Sequence, residues 1–264
     1  MRFVRRHLLT VYAILAFAYL LMPIAIVILF SFNDPAGRFN YTWQGFTLDH
    51  WRNWDGVPGL SDAMVLSIEI ALLASILATV LGTLIALALV RYGFRGRGAT
   101  NLLIFLPMAT PEIVLGASLL ALFINLKVFL GFSTILIAHI MFCISYVVVT
   151  VKARLIGFDR SLEEAAMDLG ANEWTTFRKV TLPLIAPAIL AGALLSFALS
   201  VDDFVITYFN SGSEITFPLF VWGAARVGAP PQVNVMGTVI FLFALTLMVV
   251  NVLVTMRREA RAQA

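Results

Sequence analysis

Charge is the first thing this sequence lacks. Asp, Glu, Lys and Arg make up 12% of its 264 residues, while 61% are hydrophobic. A soluble domain carries about twice that charged fraction, so the solvent for most of the chain is lipid. Cysteine is reduced to Cys143, inside an apolar run. That excludes an internal disulfide and argues against redox chemistry. There is no G-x-x-x-x-G-K-[ST] sequence to hold ATP phosphates in a P-loop. H-E-x-x-H, G-x-S-x-G and paired C-x-x-C are missing too, so an intramembrane enzyme lacks its usual marks. Internal repeats and low-complexity segments are also lacking.

What is abundant is long apolar sequence. Six runs are long enough to cross a hydrocarbon core of about 30 Å, which takes roughly 20 helical residues. They fall at Leu8–Phe30, Asp62–Val90, Asn101–Phe123, Phe132–Val151, Ala188–Phe209 and Val233–Thr255. The runs are continuously apolar and lack the alternation of a lipid-facing barrel, which leaves helices as the spanning form. The expected fold is therefore an all-α membrane protein of about six transmembrane helices. The first run has a basic start and the small-x-small sequence Ala16-Phe17-Ala18, as a secretory signal does. It continues to Phe30, past the core length of a signal peptide, and reads as a retained helix.

The net charge of +3 is a topology signal rather than a nucleic-acid footprint. Fourteen of the 18 Lys and Arg residues sit in the N-terminus, the second connection, the fourth connection and the C-terminus. Arg38, Arg52, Lys127 and Arg226 lie on the other side. The positive-inside rule then places both termini in the cytoplasm. Outside are two long connections. Residues 31–61 carry Trp43, Trp51 and Trp54, suited to headgroup anchoring. Residues 210–232, rich in Gly and Pro, suit a re-entrant or gating element. Ala74, Ala78, Gly82 and Ala86, spaced by four, form a small-residue face for close helix contact.

The fourth connection, residues 152–187, is the most informative. Ser161 and Glu164 have capping-box spacing. Leu162, Ala165, Ala166 and Leu169 follow at i, i+3, i+4 and i+7, as on one apolar helix face. Gly170 suits the left-handed position past a helix end. Asn172 can cap a second short helix, which Pro183 is expected to break, with Pro187 in the first turn of the fifth span. A two-turn amphipathic helix is marginal alone and needs something to pack against. Glu164-Ala165-Ala166, then Gly170, then nine residues, then Val180-x-Leu182-Pro183 resembles the EAA loop of bacterial ABC importer permeases, with Val180 where isoleucine is usual. The resemblance implies a type I importer permease fold and a single permease domain over 1–264. It also implies a coupling helix, with Glu164, Ala165, Ala166, Asp168, Leu169, Gly170, Leu182 and Pro183 as the residues that meet a separate ATP-binding subunit.

Four acidic residues lie in the apolar runs: Glu69, Glu112, Asp202 and Asp203. Each such charge costs roughly 2.5–3.5 kcal/mol on insertion scales, which marks functional candidates. At 1.5 Å per residue Glu112 lies about 16 Å and Asp202 about 21 Å from the cytoplasmic side, and Glu69 falls at a similar level. No Lys or Arg lies in any span, and His139 is the only candidate base there. An uncompensated acidic layer suits a cationic passenger. Successive residues of a helix differ by about 100°, so Asp202 and Asp203 cannot both face the path, and one is left to pair with a partner subunit or to cap an interrupted helix. Tyr208, Trp222, Tyr146 and Phe204 are candidate cation–π faces.

Nearly the whole chain also resembles the second permease of spermidine/putrescine importers. The resemblance rests on Asn40–Phe46, Arg91–Gly96, Pro111–Val114, His139–Thr150, the EAA loop and Leu199–Phe204. That family usually has aspartate where Glu112 stands. The resemblance implies a bacterial inner-membrane complex of this chain, a sister permease, two ATPase subunits and a periplasmic binding protein. ATP is then bound by the partners, with no cofactor on this chain and no nucleic acid among its partners. Read from the acidic layer alone, another cationic, amine or amino-acid cargo stands beside polyamines. A proton-coupled carrier or cation channel is the alternative of another class.

Overall fold

The computed structural model describes residues 2–37 and 39–262, and the described residues are almost wholly helical. Among them, four helices are long and apolar enough to cross a membrane: Leu8–Phe30, Leu60–Arg91, Phe132–Ile156 and Glu173–Asp202. A fifth candidate is a pair bent by 111°, Arg97–Ala109 with Glu112–Asn125. The sixth expected run falls in a helix that continues from Pro231 to Ala262. Arg38, and the side chains of Arg2, Arg5, Arg6, Arg257, Arg258 and Arg261 used in the topology count, lie outside the described residues.

The chain divides into two compact units. One comprises Asp62–Phe220. It contains nearly all of α3 (Leu60–Arg91), then α4 (Arg97–Ala109), α5 (Glu112–Asn125), α6 (Phe132–Ile156), α7 (Ser161–Asp168), α8 (Glu173–Thr176), a π-helical turn at Phe177–Thr181, α9 (Leu182–Asp202) and α10 (Val205–Asn210). Its core is built around α6, which packs on α9, α4 and α10, while α10 also packs on α5. The small-residue face of α3 is used here. Ala74, Ala78 and Ala86 are fully buried, and a Cβ on Gly82 would lie 2.8 Å from the Val147 side chain. A Cβ on Gly192 of α9 would lie 3.4 Å from the Val147 Cα, so Val147 sits between two glycines.

The other unit draws on the chain before Asp62 and after Phe220. In it α1 (Arg2–Phe30) packs on α12 (Pro231–Ala262), with Gly237 against Val27. The connection after α1 is tied by Asn33. Its amide donates to Asn40 Oδ1 at 2.6 Å and to the Thr42 carbonyl at 2.8 Å, and its Oδ1 accepts from Gln44 N at 2.7 Å. Phe32 stacks on Phe46 and on Trp51, which belongs to the short α2 (Asp49–Arg52), while Trp43 and Trp54 stay about half exposed. The 210–232 connection holds α11 (Phe217–Val227), within which the chain passes from one unit to the other.

Several expectations are corrected. The third run is not one straight helix. Pro111 has no N–H to continue α4 and forces Thr110 into extended backbone (φ −83°, ψ 134°), so the chain turns there and restarts at Glu112. This removes the straight-helix premise of the depth assigned to Glu112. The fifth run does not begin at Ala188 or reach Phe209 unbroken. Helix runs without interruption from Glu173 to Asp202, passes Pro183 and Pro187, and stops at Asp203 (φ −65°, ψ 120°). Pro183 fails to break it because Leu182 N–H already reaches back five residues to the Phe177 carbonyl in the π-helical turn, so the missing proline donor falls next to a ladder already shifted. The capping box is also absent. Ser161 is the first helical residue, and Asp159 Oδ1 accepts its N–H at 3.0 Å.

Candidate substrate cleft and coupling loop

Two breaks in helices meet in the larger unit. A cleft of about 190 Å³ is lined by Pro107 and Glu112 from one break and by Leu199, Asp202, Asp203 and Phe204 from the other. Leu115, Phe142, Tyr146, Val205 and Ile206 complete the wall. Three of the four acidic residues of the apolar runs are therefore brought together, and among the described residues no Lys or Arg lines the cleft. Glu112 stands in the first turn of α5, and Asp202 ends α9; both are exposed.

Asp203 has a different environment. Its side chain is 6% exposed, and its carboxylate accepts the Thr207 N–H and the Thr207 hydroxyl, each at 2.8 Å. It thus accepts from the first turn of α10 at the point where α9 ends in extended backbone. His139 of α6, also buried, approaches the same carboxylate at 3.3 Å through Nε2, which lies 2.9 Å from Thr207 Oγ1. Its Nδ1 lies 2.6 Å from Ser200 Oγ. One proton arrangement satisfies all four groups: the Ser200 hydroxyl donates to Nδ1, and Nε2–H donates toward Thr207 and Asp203. His139 thereby ties α6, α9 and α10 together at the break.

The remaining sequence candidates lie elsewhere. Glu69 is exposed on α3 and does not line the cleft. Tyr208 is 58% exposed on α10, with its ring against Phe204 and Phe209, and also lies outside the lining. Trp222 belongs to the other unit, where the Arg226 guanidinium lies 4.5 Å from its ring centroid, so that face already holds a cation from its own chain. Ser200 and Thr207 were missed. The signal for Thr207 was its place four residues after Asp203, within reach of a capping carboxylate; Ser200 carried none.

In the fourth connection α7 has no buried residue. Its side facing the chain carries Glu163 and Ala166, both partly covered. Leu162, Glu164, Ala165, Met167, Asp168 and Leu169 are exposed, Leu169 by 90%. Three residues of the expected apolar face, Leu162, Ala165 and Leu169, are therefore turned away from the chain, while Ala166 is half-covered against it. Asp159, at the N-terminal end, is held below the ordinary carboxylate range by its hydrogen bonds from Ser161. Gly170 takes φ +87°, and Gly170 N–H and Ala171 N–H close on the Met167 and Ala166 carbonyls at 2.9 and 3.1 Å. This is a Schellman end, which glycine adopts without strain. Asn172 then caps α8 by accepting the Thr175 N–H at 2.8 Å, and Trp174 stacks on Phe177 while staying 67% exposed. Leu182 and Pro183 open α9 directly after the π-helical turn.

Membrane-spanning helices around an acidic cleft, with a capped helix held out by one connection, define an integral membrane permease. Residues 78–258 match the family described as binding-protein-dependent transport system inner membrane component. The chain belongs to that family and is a multi-pass inner-membrane component of an ABC importer. It is 42% identical over 244 residues to the spermidine/putrescine transport system permease protein PotC of Haemophilus influenzae, covering 92% of this chain and 94% of the relative. It is 40% identical over 239 residues to the putrescine transport system permease protein PotI of Escherichia coli, covering 86% and 83%. Among solved structures, a bacterial ABC transporter involved in the import of the acidic polysaccharide alginate shares the fold. That match has a TM-score of 0.66 at 19% identity and covers 96% of this chain and 94% of the other.

Proposed function

We propose that this chain passes polyamines such as spermidine and putrescine inward across the membrane, driven by ATP hydrolysed on separate subunits. The observation that carries the cargo is the cleft itself. Glu112 and Asp202 present exposed carboxylates in a space lined by Phe142, Tyr146 and Phe204 and lacking any basic side chain among the described residues. At about 190 Å³ it is smaller than the roughly 300–1,000 Å³ of drug-sized pockets, which suits a slender chain of methylenes and ammonium groups. A multivalent cation neutralises several carboxylates at once, and ring faces favour it further. The relatives named for spermidine and putrescine support the same cargo.

In this reading the two compact units act as one permease domain over 1–264, since the family match crosses from one unit into the other. The exposed face of α7, with Glu164, Ala165 and Asp168, seats in a groove of a cassette ATPase, with Leu169 just past the helix end and Ala166 at the half-covered edge; two copies of the ATPase serve the complex. Gly170 sets the exit angle, and Leu182 and Pro183 carry the chain back into the membrane. A sister permease completes the pore, and a periplasmic binding protein delivers the polyamine. The chain itself needs no cofactor and hydrolyses nothing.

The test is uptake of radiolabelled spermidine by proteoliposomes holding this chain with its co-purifying subunits and binding protein. ATP is supplied on the side that meets α7. Uptake that requires ATP is the expected result. ATP hydrolysis stimulated by the binding protein without spermidine uptake would move the reading to another cationic cargo. Uptake that ignores ATP but is lost when the proton gradient is dissipated would replace it with a coupled carrier.

A further inference from the structure

The cytoplasmic ends of three elements converge on a single carboxylate oxygen. Glu163 Oε1, on the covered side of α7, accepts from Arg91 Nη2 and from Thr181 Oγ1. Arg91 is the last residue of α3, and Thr181, fully buried, is the last residue of the π-helical turn that leads into α9. Arg91 Nη2 also lies 3.4 Å from Thr181 Oγ1, which closes the triangle. The side chains of Arg91 and Glu163 are 28% and 13% exposed, so the ion pair is shielded from bulk water and screened less by salt than a surface pair. Among the described residues no other α7 side chain hydrogen-bonds to another element.

We infer that Glu163 is a positioning residue that transmits displacement of α7 into α3 and α9. This rests on the proposed seating of α7 against an ATPase. Glu164, its neighbour, is turned about 100° away and exposed, so adjacent carboxylates divide between the outside and the chain. From Leu182 to Asp202, α9 is 21 residues of helix, about 30 Å, with the cleft carboxylate at its far end. A pull on Glu163 acts on Thr181, one residue before that rod begins. The π-helical turn gives this joint an irregular hydrogen-bond ladder that can change register without breaking α9. Arg91 ties the same oxygen to α3, whose fully buried Ala78 and Ala86 belong to the core around α6. The latch thus links α7 to the acidic cleft and to the packed core by two routes.

The experiment uses the complete reconstituted complex and reads spermidine taken up per ATP hydrolysed in the same vesicles. That ratio is insensitive to how much complex is folded. Glu163→Gln keeps an acceptor for Thr181 but removes the ion pair. The expected result is ATP hydrolysis within about twofold of wild type and a ratio about fivefold lower, within the range of measured coupling changes. Exchanging the charges, Glu163→Arg with Arg91→Glu, is expected to recover most of the ratio. If Glu163→Gln does not assemble, Thr181→Val removes the other donor and is expected to lower the ratio in the same direction. A wild-type ratio in the assembled variant overturns the latch and leaves the importer reading standing. Wild-type vesicles without ATP-dependent uptake overturn both.

Discussion

Asp202 and Asp203 are neighbours with opposite environments, one exposed in the cleft and the other enclosed by Thr207 and His139. Substitution separates them. Asp202→Asn is expected to leave thermal unfolding in detergent unchanged and to reduce spermidine uptake by about tenfold, the loss of one charge-assisted contact. Asp203→Ala is expected to destabilise the protein by about 1–3 kcal/mol, because His139 and Thr207 then lose a buried acceptor. Thermal melts of the two variants decide the matter, and equal melting temperatures would refute the division. Lys127 offers a gain instead. It holds φ 55° at the end of α5, with Lys127 N–H and Val128 N–H closing on the Ile124 and Phe123 carbonyls. Lys127→Gly removes the left-handed cost, so a stabilisation of about 1 kcal/mol is expected in the same melts. The carboxylates were legible in the sequence because a charge in an apolar run stands out. That they divide between path and helix cap was legible too; which one caps was not, since Asp203 is enclosed by His139, 64 positions away in the chain.

At the scale of elements, packing gave the clearest agreement between sequence and structure. The four-residue spacing from Ala74 to Ala86 predicted a close helix contact, and Gly82 makes one with Val147 of α6. Gly82→Ala places a Cβ at 2.8 Å from that side chain and is expected to cost about 1–3 kcal/mol. Val147→Ala in the same chain should return part of that cost, and a double-mutant cycle of melts measures the coupling. The Gly170 helix end was equally legible, because its chemistry is local. The bend at Pro111 and the unbroken passage through Pro183 were not. Both prolines weaken a helix by the same physics, and the outcome at each is set by the turns around it. Thr110 yields to extended backbone, whereas the π-helical turn ahead of Pro183 absorbs the irregularity.

For the molecule as a whole, the distribution of Lys and Arg places the second connection inside and the 31–61 segment outside. Tyr41 and Tyr92, each 67% exposed, test this in a Cys143→Ala background. Tyr41→Cys in intact spheroplasts is expected to react with an impermeant maleimide, and Tyr92→Cys only after permeabilisation; the reverse pattern would invert the topology. Length and hydropathy located the first, second and fourth spans but not the bend in the third or the ends of the fifth. The meeting of the two breaks was hidden, because contacts between distant segments leave no periodic trace in a chain this uniformly apolar. Those breaks have a chemical consequence. A helix that stops at Asp202 leaves its last carbonyls outside its own ladder, beside the carboxylates of the cleft. The site therefore offers neutral acceptors as well as negative charge, and a primary ammonium brings three N–H donors to meet them. A permethylated diamine keeps the charge and loses every donor. It should compete with spermidine for uptake at least tenfold less well than putrescine does, and equal competition would mean that the cleft senses charge alone.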